Sequence, residues 1–207
     1  MHPLDHVVYA TTDLAATVER IAGQLGVRPI AGGQHVGRGT RNYLLSFGNG
    51  SYLEIIGPDP EQADPADARP FGIDELRGER VMTWAIRSTN IDASIAHAVE
   101  AGFDPGRAQA MQRATPEGDL LRWRLTSRVM GSDGGLVPFL LDWGDTPHPS
   151  STVAPRATLV SIRAEHPEPE SVTPILDALQ CALTINHGPY PLLMVTIEGP
   201  KARLELQ

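Results

Sequence analysis

Leu25-Gly26-Val27-Arg28-Pro29 and Ala101-Gly102-Phe103-Asp104-Pro105 carry the same punctuation: a glycine stop, an apolar residue, and a proline two positions further on. Glycine just past a periodic apolar stripe ends a helix, and the proline prevents its continuation. Working outward, Asp13 is a cap for a stripe of Leu14, Val18, Ile21 and Leu25, while Asn90 caps Ile91, Ile95, Ala98 and Val99. A β-branched, apolar run precedes each helix, at residues 4–9 and 83–86. Three extended runs follow each, at 27–36, 40–47 and 51–56, then at 107–113, 120–127 and 136–143. Gly48-Asn49-Gly50 and Gly134-Gly135 supply turns. A βαβββ unit has been duplicated.

A shorter third copy begins at residue 157, with a strand at 159–164, a helix at 170–183 and strands at 191–197 and 202–206. Arg203-Leu204-Glu205-Leu206 closes it as Tyr52-Leu53-Glu54-Ile55 closes the first, with a glutamate between apolar neighbours. Pro-rich linkers at 58–80 and 147–155 separate the copies. The division expected is a domain over residues 1–150, made of two modules at about 1–58 and 81–144, followed by a third module over 156–207. A βαβββ unit leaves one sheet face uncovered, so two must pair. The fold class is α+β, with repeated modules forming a curved, half-barrel mixed sheet and helices on the outside.

The 207 residues carry a formal net charge of −8, which argues against attraction to phosphate backbones or anionic membranes, so neither nucleic acid nor membrane is an expected partner. Cys181 stands alone among apolar neighbours and reads as an inert buried thiol in a reducing, cytoplasmic setting. The sequence contains no Walker loop, dinucleotide fingerprint, nucleophile elbow or paired-cysteine zinc motif.

Leu4-Asp5-His6-Val7-Val8 with Thr12-Asp13-Leu14, Gly37-Arg38-Gly39-Thr40-Arg41-Asn42, and Gly50-Ser51-Tyr52-Leu53-Glu54-Ile55-Ile56 resemble the opening module of the glyoxalase-like branch of the vicinal oxygen chelate superfamily. Pro138-Phe139-Leu140-Leu141-Asp142-Trp143-Gly144 and Thr146-Pro147-His148-Pro149 resemble the closing strand of its second module. The resemblance spans about the first 150 residues. It implies a cavity in which a divalent ion, held by side chains from the first and last strands of each module, polarises neighbouring substrate oxygens. Carried onto this chain, the ligands are His6 and Glu54, an incomplete set. Zn, Mn, Fe, Ni and Mg are not distinguished, and a protein without metal stays open. In the second module Thr83 falls where His6 stands, and Leu140 or Asp142 where Glu54 stands, with His35, Asp142 and Glu205 as further donors to consider.

His6 and Glu54 are also the catalytic candidates, since a carboxylate among Leu53, Ile55 and Ile56 is costly to bury without a partner or a task. His35, Arg38 and Asn42 lie around a glycine-flanked turn and are candidates for substrate binding. In Leu121-Arg122-Trp123-Arg124-Leu125, alternation puts Trp123 on one face and Arg122 and Arg124 on the other. Either the tryptophan is core and the arginines are wet, or the arginines enter the cavity and bind a carboxylate. His97, His148, His166 and His187 read as surface residues.

Three functions follow. One is an enzyme acting on a small oxygenated molecule, as a metal-dependent lyase or isomerase or a ring-cleaving catalyst. Another is a binding or sequestration protein that uses the same cavity without metal. In the third, the last module pairs across a homodimer axis and the domain serves assembly.

Overall fold

The structure, a computed structural model, describes residues 1–48, 50–115, 118–128, 133–154 and 156–207. Asn49 of the expected hairpin and Pro155 of the second linker lie outside the described residues.

Both glycine-stopped helices form. Helix α1 (Leu14–Leu25) starts where the Asp13 side chain accepts the amide of Ala16, and it ends at Gly26, whose φ of 73° lies in the left-handed region that glycine adopts without strain. Helix α2 (Ile91–Glu100) is capped in the same way by Asn90, which accepts from Ala93. Strand β1 (Leu4–Thr11) precedes α1, and β2 (Ile30–His35), β3 (Thr40–Ser46) and β4 (Tyr52–Pro58) follow it. The second module repeats the order as β5 (Glu79–Arg87), α2, β6 (Ala108–Ala114), β7 (Leu120–Thr126) and β8 (Phe139–Asp142).

The eight strands close into one barrel in the order β1-β4-β3-β2-β6-β7-β8-β5. Two seams join the modules. At one, β1 runs antiparallel to β5 along most of its length; at the other, β2 and β6 meet only at Gln34 and Ala114. Gly33 makes that second approach feasible, because a Cβ there would lie 1.8 Å from the Ala114 carbonyl oxygen. Half-barrels therefore close completely, which removes the edges an open sheet would expose.

Alternation along the strands sorts side chains between two compartments. Val7, Tyr9, Leu53 and Ile55 face outward and pack with Val18, Ile21 and Leu25 of α1. Val8, Ala10, Ile56, Ala85, Phe139 and Leu141 face the interior. Each leucine or isoleucine withdrawn from water contributes about 1.5–3 kcal/mol, and the outer stripe of α1 is thereby tied to the barrel.

After the short helix α3 (Pro149–Thr152), the third copy forms β9 (Thr158–His166), α4 (Pro169–Ala178), β10 (Ile185–His187), β11 (Leu192–Glu198) and β12 (Arg203–Leu206). These strands make a separate sheet in the order β10-β9-β11-β12. Leu193, Val195, Ile197 and Leu206 share one apolar core with α1 and the outer barrel face. Helix α4 stops at Ala178, short of the expected residue 183, and the strand β10 that follows at Ile185–His187 is one the periodicity did not reveal. Cys181 is buried, and burial pushes its thiol up to about 12, as expected of an inert group.

Candidate active site

The barrel interior is hydrophobic at one end and polar at the other, where a cavity of about 230 Å³ opens. Three inward positions in succession come from β6 (Gln109, Met111, Arg113), and others from β7 (Trp123, Leu125) and β8 (Phe139, Leu141). His6, His35, Asn42 and Glu54 enter from β1, β2, β3 and β4. Arg38 reaches the mouth from the exposed turn after β2. Five of the seven expected site residues are thus brought together.

Arg122 and Arg124 are not. Trp123 takes the inward position on β7, so strand alternation sends both arginines to the exposed face, where Arg124 pairs with Asp92 of α2 at 2.7 and 2.8 Å. Neither lines the cavity, which corrects their reading as substrate-binding residues.

Glu54 is the centre of the polar end. Its Oε1 accepts a hydrogen bond from the Asn42 amide at 2.5 Å and lies 3.7 Å from His35 Nε2, while its Oε2 lies 3.6 Å from His6 Nε2. All four side chains are buried. The two imidazoles are held differently. His6 Nδ1 meets Asp5 Oδ1 at 2.7 Å, and its ring stacks on Tyr52 with centroids 4.9 Å apart. His35 Nδ1 meets only the Thr40 hydroxyl, at 3.1 Å.

Their charges diverge accordingly. Burial disfavours the imidazolium of His6, but the Asp5 hydrogen bond and the charges of Asp5 and Glu54 outweigh it, and the pKa is raised above the usual histidine value. Burial of His35 is only partly offset by Glu54 and is reinforced by the cations Arg113, His6 and Arg38, which leaves its pKa at about 4. Glu54 therefore stands between two imidazoles whose pKa values are shifted in opposite directions, the kind of divergence that separates acid from base.

Several contributors had no mark in the sequence. Asp5 is fully buried and joins three groups: His6 through Oδ1, and the Trp143 indole N–H and His148 Nε2 through Oδ2, both at 3.0 Å. Despite its burial, these hydrogen bonds hold its carboxyl well below the usual range. His148, read as a surface residue of a Pro-flanked linker, is partly buried because the Pro149 turn folds it back onto Asp5. Arg113 is also buried and lines the cavity. Trp84 does not; its indole donates to the Leu136 carbonyl under the outer face.

The donor set tests whether a metal fits. In β1 and β4, Val8 pairs with Glu54; in β5 and β8 the equivalent pair is Ala85 and Phe139. Phe139, rather than Leu140 or Asp142, therefore stands opposite Glu54 in the duplicated frame and offers no donor. Asp142 instead caps α2 through the Ile91 amide, and Glu205 pairs with Arg163 on the exposed sheet. Among the described residues no three His, Cys, Asp or Glu side chains are grouped to hold an ion. His6, His35 and Glu54 all come from the first module, the second contributes no donor beside them, and Arg113 adds a fixed positive charge, so the set does not fit a catalytic metal held by both modules.

The sequence matches the family model described as a glyoxalase-like domain over residues 4–180. No curated protein matches the sequence. Among solved structures, a hypothetical protein from Staphylococcus aureus is similar over 99% of this chain and 98% of its own, with a TM-score of 0.71 at 12% identity. Methylmalonyl-CoA epimerase from Mycobacterium tuberculosis is similar over 73% of this chain and 91% of its own, with a TM-score of 0.45 at 20% identity. A Streptomyces coelicolor methylmalonyl-CoA epimerase variant gives 72% and 99%, with a TM-score of 0.47 at 23% identity. Among the described residues no helix is long and apolar enough to cross a membrane. With its duplicated βαβββ barrel and the match across most of its length, the chain belongs to the glyoxalase-like domain family.

Proposed function

We propose that the barrel cavity is a catalytic pocket for acid–base chemistry on a small oxygenated molecule, with Glu54 as the proton-transferring group. The observation that carries this reading is the placement of the Glu54 carboxyl, buried in the cavity between two imidazoles whose pKa values are shifted in opposite directions. Buried carboxylates without a full ion pair are expensive, and such arrangements concentrate at sites of proton transfer.

In this reading Glu54 Oε2 removes a proton from a carbon next to a substrate carbonyl. The electron pair of the broken C–H bond moves onto the carbonyl oxygen, and the His6 imidazolium, fixed by Asp5, donates through Nε2 to the enolate so formed. Return of the proton from Glu54 to carbon, as the enol O–H proton goes back to His6 Nε2, restores the enzyme. Asn42 keeps Oε1 occupied and so directs Oε2 to the reaction.

The test uses phenylpyruvate in D₂O, followed by proton NMR of its methylene group. The protein should speed deuterium entry, and Glu54→Gln should slow it by about a hundredfold or more, the scale of a lost general base. Exchange no faster than in buffer would leave a cavity that binds without chemistry.

A further inference from the structure

Arg113 sits on β6 with only 4% of its surface exposed, and among the described residues it has neither a carboxylate within salt-bridge distance nor a hydrogen bond to its NH1. Other arginines of this protein meet carboxylates: Arg69 pairs with Asp64 and Asp74, and Arg124 with Asp92. Burial lowers the pKa of Arg113, and Tyr52 and Glu54 only partly oppose this through space. A buried guanidinium with no carboxylate in reach and one nitrogen left without any hydrogen bond is costly for a fold to retain. The side chain lines the cavity, where a bound anion would supply the missing partner.

Two neighbours strengthen the case. The Asn42 Oδ1 is likewise buried with no hydrogen-bond partner. Both head groups lie against Gly32: a Cβ there would fall 2.3 Å from Asn42 Oδ1 and 3.1 Å from Arg113 NH1. Gly32 thus makes room for an unpaired acceptor and an unpaired cationic donor on one side of the cavity. The same cavity is lined by the rings of Phe71, Trp123, Phe139 and Trp143, with Trp123 and Trp143 5.2 Å apart.

We infer that Arg113 is the anion-binding residue of the cavity and that the ligand class is a small, planar aromatic carboxylate, its carboxylate on Arg113 and its ring among the four aromatic side chains. This rests on the reading of the cavity as a substrate pocket, and it adds the substrate class. The overall charge of −8 repels anions in general, so selection must come from the cavity itself.

The experiment titrates the full chain with benzoate and with its neutral isostere benzamide, read by calorimetry and by quenching of tryptophan fluorescence. Benzoate should bind at least about tenfold more tightly than benzamide, the scale of one charged hydrogen bond. Arg113→Gln should abolish that preference. Arg113→Met, which replaces an unpaired buried charge with an apolar chain, should melt at or above the wild-type temperature without ligand. Equal binding of the two probes, or a preference that survives Arg113→Gln, overturns the inference. So does a lowered melting temperature in both variants, which would mark Arg113 as structural. Glu54→Gln separates this from the proton-transfer reading: it should keep the benzoate preference while losing deuterium exchange.

Discussion

Asp5 and His6 are neighbours on one strand and yet hydrogen-bond to each other through their side chains, with Oδ1 and Nδ1 2.7 Å apart. Consecutive residues of a regular strand point to opposite faces. Here the register between β1 and β5 slips, Leu4 facing Ile86 and His6 facing Ala85, so Asp5 is the extra residue of a bulge. The bulge turns the Asp5 carboxylate toward the imidazole it would otherwise avoid, and brings Trp143 and His148 to its other oxygen.

Replacing Asp5 by Asn should therefore act on both stability and charge. The variant leaves the His6 imidazolium with only Glu54 to favour it, so the His6 titration midpoint should fall. Breaking a buried hydrogen-bonded pair costs about 3–5 kcal/mol, and urea unfolding at neutral pH should show a loss of that order. An unchanged unfolding midpoint would mean that Asp5 is not the anchor of this end of the barrel.

The two histidines predict opposite pH limbs. His35 has a folded pKa of about 4, below its unfolded value of 6.5, so the unfolded chain binds its proton first. Its contribution is present above pH 6.5 and is lost as pH falls through that window to about 4, a loss on the order of 3 kcal/mol. His6, with a raised folded pKa, contributes fully below 6.5 and loses that contribution as pH rises through its folded value. His35→Gln should flatten the acid limb in a series of thermal melts between pH 7 and 4. A limb identical to wild type would contradict the assignment.

Gly32→Ala should disturb the site more than its size suggests. The new methyl would sit 2.3 Å from Asn42 Oδ1, and Asn42 is fixed by its bond to Glu54. Overpacking of this kind costs about 1–3 kcal/mol. Deuterium exchange should fall together with the unfolding midpoint, whereas a variant with full stability and activity would show that Asn42 moves freely.

Divalent ions should leave the protein indifferent. An ion bound only to the native state at a hundred times its dissociation constant stabilises by about 2.7 kcal/mol. Melting curves with Zn²⁺, Mn²⁺, Ni²⁺ or Mg²⁺, and with chelator, should superimpose. A rise in melting temperature that Glu54→Gln removes would instead restore a metal role for His6 and Glu54.

The architecture was legible because helix stops and turns are local. The Gly26 and Gly102 punctuation fixed the repeat, and the cost of burying a carboxylate among Leu53, Ile55 and Ile56 singled out Glu54. Alternation divided Trp123 from Arg122 and Arg124; it could not say which face was inside, and Trp123 won because a ring loses less on leaving water than two guanidinium groups. Asp5, His148 and Arg113 were hidden for a different reason. A bulge depends on the partner strand, and a linker histidine or a strand-end arginine gains its role only through residues more than a hundred positions away or across a barrel seam.

The account turns on one carboxylate lying between two imidazoles in opposite protonation states. Long-range proton–nitrogen correlation spectra of the histidine rings at pH 6, below the usual histidine value of 6.5 and above the value of about 4 for His35, test this most directly. His6 should show protons on both ring nitrogens and His35 on only one. A neutral His6, or a charged His35, would contradict it.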